Sequence, residues 1–122
     1  MLKELTVKAE MERLDEVLDF VNAALEDCGC PVKVQMSTAV AVEEIFVNKV
    51  QYSSEAALTL RVEPEGSNGA AVSFSDGEEP YNPLQQAEGE RGLGISLVKS
   101  SVRQVTYSNE NGLNILKLSQ QW

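Results

Sequence analysis

The segment Ala41-Val42-Glu43-Glu44-Ile45-Phe46-Val47-Asn48 places a carboxylate and an amide four residues apart in a mostly apolar run. Because a helix turns ~100° per residue, Glu44 and Asn48 would lie about 40° apart on one face, one turn above each other. Such a pair on the inner side of a core helix often faces a ligand, metal or water pocket, since an unpartnered buried carboxylate is costly. The alternative is a solvated stripe on an amphipathic helix.

The surrounding periodicity predicts two helices after a first strand. Leu5, Val7 and Ala9 alternate as in a strand, and helical spacing then leads to Cys28-Gly29-Cys30-Pro31, where glycine and proline close the helix. The spaced apolar positions of this first helix are Leu14, Val17, Leu18, Val21 and Leu25. A longer, largely buried helix is predicted from Val32 to Tyr52. Its expected apolar side comprises Met36, Val40, Val47 and Val50.

The second half of the chain predicts two hairpins and one short helix. Leu58, Leu60 and Val62 share one strand face, Glu65-Gly66-Ser67-Asn68-Gly69 turns the chain, and Ala70, Val72, Phe74 and Asp76 share the next face. Asp76 is therefore expected on the core side. A loop over residues 77–94 leads to a helix from Ile95 to Ser101, and a turn at Asn109-Glu110-Asn111-Gly112 joins two final strands.

The resulting order, βααββαββ, predicts the fold class. It indicates an α+β two-layer sandwich, with a mixed or antiparallel sheet and its helices packed on one face. The length of 122 residues suits a single domain, 1–122, with one core.

Composition and charge exclude several classes of function. The apolar runs are too short to span a bilayer, and the first residues lack the apolar core of a signal peptide, so we expect no membrane association and a cytoplasmic location. A net charge of −9 with scattered cations argues against general nucleic-acid binding. Cys28 and Cys30 are interpreted as reduced thiols at a helix end, because without histidine a zinc site would need carboxylates or a second chain. A redox or metal-binding role of this pair is the alternative.

The segment Gly89-Glu90-Arg91-Gly92-Leu93-Gly94 has the pattern G-x-x-G-x-G and runs directly into the short helix. Glycines allow close approach of the backbone, and a helix N-terminus presents free amides with partial positive charge. Phosphate binding is the resulting hypothesis. The pattern is neither the Rossmann fingerprint nor a P-loop.

Three segments in order resemble the nucleotide-binding boxes of the GHKL-type ATPases, and above all the bacterial anti-sigma-factor serine/threonine kinases. They are Glu44-x-x-x-Asn48, Asp76 with Pro80-Tyr81-Asn82-Pro83-Leu84, and Gly92-Leu93-Gly94-Ile95-Ser96-Leu97-Val98-Lys99. The similarity extends over nearly the whole chain. It implies a GHKL-type fold that binds ATP and Mg²⁺, with a sigma factor or an antagonist protein as partner and a homodimer as a possible assembly.

The resemblance also implies roles for individual residues. Glu44 corresponds to the general base, Asn48 to the amide that holds Mg²⁺, and Asp76 to the carboxylate that accepts a hydrogen bond from the adenine amino group. The remaining nucleotide-binding positions are Gly77, Gly92, Leu93 and Gly94. Mg²⁺ prefers oxygen ligands and would offset repulsion between ATP and an acidic protein, in agreement with these roles.

The sequence departs from the family pattern around Asp76 and in the lid. Where the family reads Asp-x-Gly-x-Pro, Glu78 replaces the glycine, and only eight residues separate Pro83 from Gly92. Two functions therefore stay open. One is an ATP-binding anti-sigma-factor kinase, and the other is a non-catalytic partner-binding module with weak or lost nucleotide binding.

Overall fold

The computed structural model describes residues 2–53, 55–85 and 94–122. Within these ranges the strands are β1 (Lys3–Lys8), β2 (Ala57–Pro64), β3 (Gly69–Asp76), β4 (Gln104–Glu110) and β5 (Leu113–Gln121). The α-helices are α1 (Leu14–Asp27), α2 (Val32–Tyr52) and α3 (Ile95–Ser101), and Met11–Arg13 and Pro83–Gln85 form short 3₁₀ turns. The predicted order of elements is confirmed.

The strands form one antiparallel sheet in the order β1-β2-β3-β5-β4. Alternate strand residues turn inward and pack against the helices, as in Leu58, Leu60 and Val62 of β2, while the residues between them are more exposed. The α+β two-layer architecture is thus confirmed, and the pairing is antiparallel rather than mixed.

Turn chemistry fixes the ends of several elements. Gly29, two residues after the end of α1, takes a φ of +81°, and the amide of Cys30 donates to the carbonyl of Leu25 at 3.0 Å, which caps the helix as predicted. The β4–β5 hairpin turns through Asn111 and Gly112, whose φ values of +54° and +79° suit a tight two-residue turn.

The buried side of α2 differs from the prediction. Met36 and Val40 are 66% and 44% exposed, so their assignment to the apolar side of the helix was wrong. The buried apolar residues of α2 are Ala41, Val42, Ile45 and Phe46. Apolar residues occur nearly all round this helix, so periodicity alone could not select the side that packs against α1, α3 and the sheet.

A buried amide at the end of β5 joins three elements. The side chain of Gln120 donates to the Thr38 hydroxyl of α2 and to the Ser101 carbonyl at the end of α3, both at 3.0 Å. These contacts hold α2 and α3 against the sheet, and so help to place the Glu44 to Asn48 segment beside the start of α3.

In the part of the chain that the structure describes, no helix is both long and apolar enough to cross a membrane.

Candidate functional site

Glu44 connects α2 to the start of α3. Its carboxylate accepts a hydrogen bond from the backbone amide of Gly94 at 3.2 Å, and Gly94 is the residue that precedes α3. An anionic oxygen at a helix N-terminus meets amides that the helix itself leaves unbonded. The proposed catalytic base and the last glycine of the loop, 50 residues apart in sequence, are therefore in direct contact.

Gly94 itself does not need the conformational freedom of glycine in this arrangement. Its φ is −82°, and a Cβ atom would lie 3.6 Å from the Glu44 carboxyl carbon, an ordinary contact distance. Gly92 and Leu93, the other predicted residues of this loop, lie outside the described residues.

Asn48 lies one turn beyond Glu44 on α2 and is buried, with 7% of its surface exposed. Glu44 is half-buried. The pair thus has the inward placement that the first segment suggested, rather than that of a fully solvated stripe. Its oxygens are of the kind that Mg²⁺ prefers, and Mg²⁺ usually takes only one or two protein ligands in addition to substrate phosphates.

Asp76 ends β3 on the core side, as its alternation with Phe74 predicted, and is 5% exposed. One carboxylate oxygen is 2.5 Å from the Lys49 ammonium. The other accepts from the Asn114 side-chain amide and from the Glu78 backbone amide, each at 3.0 Å. Three of the roughly four acceptor positions of the carboxylate are thus used within the protein.

These contacts keep Asp76 ionised. Burial raises the pKa of the Asp76 carboxyl, but hydrogen bonds from Lys49 and Asn114, the Lys49 charge and the Glu78 amide together lower it further, so the net pKa is below the ordinary aspartate value. Asp76 and Lys49 therefore form a true ion pair at neutral pH.

Asn114 lies directly opposite Asp76 in the β3–β5 ladder and organises the chain that follows β3. Besides Asp76, its side-chain amide lies 3.1 Å from the carbonyls of both Glu78 and Glu79. Its oxygen accepts from the Tyr81 backbone amide at 3.3 Å and from the Tyr107 hydroxyl. A single buried amide thus fixes the path of the chain from residue 76 to residue 81.

A cavity of about 420 Å³, which we call the central cleft, opens beside this segment. The residues that line it are Lys49, Tyr52, Ser53, Glu78, Glu79 and Tyr81. Glu78, which stands where the resemblance places a glycine, is thus one of the residues that line the cleft, and Lys49 lies between the cleft and Asp76. A second hollow of about 370 Å³ reaches Asp76 and Gly77 together with Thr59, Ser75 and other residues of the outer sheet face.

Lys49 and Asn114 were not identified from the sequence, although usable signals were present. Lys49 is a cation that directly follows the inward-facing Asn48 on α2, and Asn114 shares the period-two alternation of Leu116 and Leu118. The same alternation identified Asp76 as a core-side acid.

The two cysteines are free thiols, as predicted. Burial, with smaller contributions from Cys28 and Glu26, raises the pKa of the Cys30 thiol to about 11, so it stays protonated at neutral pH. Among the residues that the structure describes, no cluster of three or more His, Cys, Asp or Glu side chains could hold a metal ion.

Residues 7–120 match the histidine kinase-like ATPase domain. The chain belongs to that family. A search of curated proteins with this chain found no match.

Among solved structures, this histidine kinase-like ATPase domain is similar to the crystal structure of the RsbU and RsbW domains of Rv1364c from Mycobacterium tuberculosis. The TM-score is 0.73 at 13% sequence identity, and the match covers 99% of this chain but 32% of the Rv1364c chain. At this identity the likeness establishes the shared fold. The present domain thus corresponds to about a third of that longer chain.

Proposed function

We propose that this domain binds ATP with Mg²⁺ and acts as an anti-sigma-factor serine/threonine kinase that regulates transcription by partner switching. The observation that carries the proposal is the hydrogen bond between Glu44 and the Gly94 amide, which joins the first family segment to the third. The buried carboxylate of Asp76 supplies the second segment on the same helix side of the sheet. Membership of the ATPase family and the sequence resemblance described above support the same function.

The residues present fit the phosphate and metal end of the nucleotide. The Asn48 amide oxygen would hold Mg²⁺, which neutralises phosphate charge when bound, and the Gly94 segment would contact the phosphates. Glu44 would accept the proton of a serine hydroxyl while the serine oxygen forms a bond to the γ-phosphorus. The bond between the γ-phosphorus and the oxygen of the leaving ADP breaks in the same step. The proposal includes the partners that the resemblance implies, namely a sigma factor and an antagonist protein. It also includes a homodimeric state and a cytoplasmic location.

The first test is the thermal stability of the protein with millimolar Mg-ATP. At a nucleotide concentration tenfold above Kd, binding adds about 1.4 kcal/mol, or several degrees in Tm. We expect this rise in the wild type and in Gln51→Ala, which truncates an exposed amide on the same helix, but not in Asn48→Ala. The ATP-induced difference is compared within each variant, so any intrinsic destabilisation cancels.

The second test concerns catalysis. Glu44→Gln retains an oxygen that can accept from the Gly94 amide but cannot take a proton at neutral pH, so loop geometry is kept while the base is lost. Without a protein substrate, a water molecule takes the place of the serine hydroxyl as the group that Glu44 deprotonates, and its attack on the γ-phosphorus releases phosphate. We expect this release from Mg-ATP to slow roughly 100-fold in Glu44→Gln, within the usual range for loss of a general base. The ATP-induced rise in Tm should persist. A wild-type rate in this variant would exclude Glu44 as the base.

A specific observation favours the second candidate function, a partner-binding module with weak or lost nucleotide binding. The carboxylate of Asp76, to which the resemblance assigns adenine recognition, is engaged by Lys49, and the acidic residue Glu78 lines the cleft. On this alternative, Mg-ATP leaves the Tm of the wild type unchanged at every accessible concentration.

A further inference from the structure

Lys49 lies between Asp76 and the central cleft. The Lys49 ammonium is 2.5 Å from Asp76, and its side chain lines the central cleft, whereas the cleft lining among the described residues does not include Asp76. The other Asp76 oxygen faces Asn114 and the Glu78 amide. A purine entering the cleft therefore meets the lysine before it meets the carboxylate.

We propose that Lys49 determines nucleotide affinity and base specificity, because its ion pair with Asp76 must open before the carboxylate can accept a hydrogen bond from an adenine amino group. This inference rests on the proposed function and adds a residue that the family resemblance does not assign. With the pair closed, the cleft presents an ammonium donor, which gives no advantage to a 6-amino purine over a 6-oxo purine. Adenine is read only after Lys49 moves aside.

The ion pair is strong enough for its opening to matter. The side chains of Lys49 and Asp76 are 20% and 3% exposed, so solvent and salt screen them less than a surface pair. Charge-assisted hydrogen bonds of this kind are among the stronger ones in proteins. Glu78 and Glu79 line the same cleft and can receive the displaced ammonium, so Lys49 has another acceptor nearby.

The test is calorimetric titration of Mg-ATP and Mg-GTP into wild type and Lys49→Ala. Removing a cation ordinarily weakens binding of an anionic nucleotide. We expect the opposite here, with ATP binding Lys49→Ala about tenfold more tightly, because the variant loses the charged hydrogen bond that competes with adenine for Asp76. The affinity for GTP should change less than threefold. Lys33→Ala removes the same charge from an exposed position at the other end of α2 and should show no gain.

Two further variants secure the interpretation. Lys49→Met keeps the aliphatic stem and removes the charge, so it replaces Lys49→Ala if that variant does not fold. Combining Lys49→Ala with Asp76→Asn should abolish the gain, because the gain depends on the released carboxylate.

The outcomes separate this inference from the proposed function. Equal ATP affinity in wild type and Lys49→Ala would overturn the role of Lys49 and leave nucleotide binding intact. Absence of binding in both proteins at millimolar nucleotide would overturn both. An equal gain for ATP and GTP would also contradict the inference, because Asp76 would then not be reading the base.

Discussion

Phe46→Ala should lower the free energy of unfolding by about 3–5 kcal/mol, the usual cost of truncating a fully buried phenylalanine. Phe46 is 0% exposed and belongs to the side of α2 that packs into the core. Truncation removes its apolar contacts and leaves a cavity that the surrounding core residues can only partly close. Urea unfolding followed by circular dichroism measures the change as a lower midpoint at a constant slope.

Met36→Ala is the matched control, because Met36 lies on the same helix with 66% of its surface exposed. Its cost should stay within about 0.5 kcal/mol, as for most surface substitutions. A larger cost for Met36→Ala than for Phe46→Ala would mean that α2 packs with the side first expected from the sequence. The comparison therefore tests the orientation of α2, on which the placement of Glu44 and Asn48 depends.

Local patterns predicted most of the fold because they depend on near neighbours in sequence. The bounds of α2 and α3, the turn at Asn111-Gly112 and the inward direction of Asp76 all follow from periodicity and turn chemistry. The orientation of α2 does not. A helix with apolar residues on several sides is oriented by the elements that pack against it, and those contacts are distant in sequence.

The same distinction applies to the candidate site. The inward positions of Asn48 and Asp76 were predictable, each from its own element. The Lys49–Asp76 pair joins α2 to the end of β3, and its formation depends on how the helix lies across the sheet. A sequence pattern can place each residue on a face of its own element, but only the packed structure shows that the Lys49 ammonium pairs with the Asp76 carboxylate.

Asn114→Leu should lower the free energy of unfolding by about 3 kcal/mol, because it leaves several buried partners without hydrogen bonds. The substitution removes four hydrogen bonds of the Asn114 side chain, with donor–acceptor distances between 3.0 and 3.3 Å. Their partners are the Asp76 carboxylate, the carbonyls of Glu78 and Glu79, and the Tyr81 amide. Asn109→Ala is the control. It removes one bond to Asn114, at 3.2 Å, from an exposed side chain and should cost less than about 1 kcal/mol.

Acid titration gives a second measure of the same network. The folded-state pKa of Asp76 is lowered, so its contribution to stability is fully present above the unfolded value of ~3.9 and is lost as the pH falls through the folded value. Asn114→Leu removes one of the hydrogen bonds that lower this pKa. Its unfolding free energy should therefore fall less between pH 7 and pH 3 than that of the wild type.

Asn114→Asp should reverse the sign of the pH dependence at this position. It places a second carboxylate about 3 Å from Asp76, and two carboxylates at that distance cannot both stay ionised at little cost. The folded pKa of the pair is then raised, so its stabilising proton is held at low pH and lost as the pH rises. We expect this variant to be least stable near neutral pH and to gain stability on acidification to about pH 5, where the ordinary carboxylates are still ionised. Equal stability at pH 5 and pH 7 would mean that residue 114 and Asp76 do not face each other across the ladder.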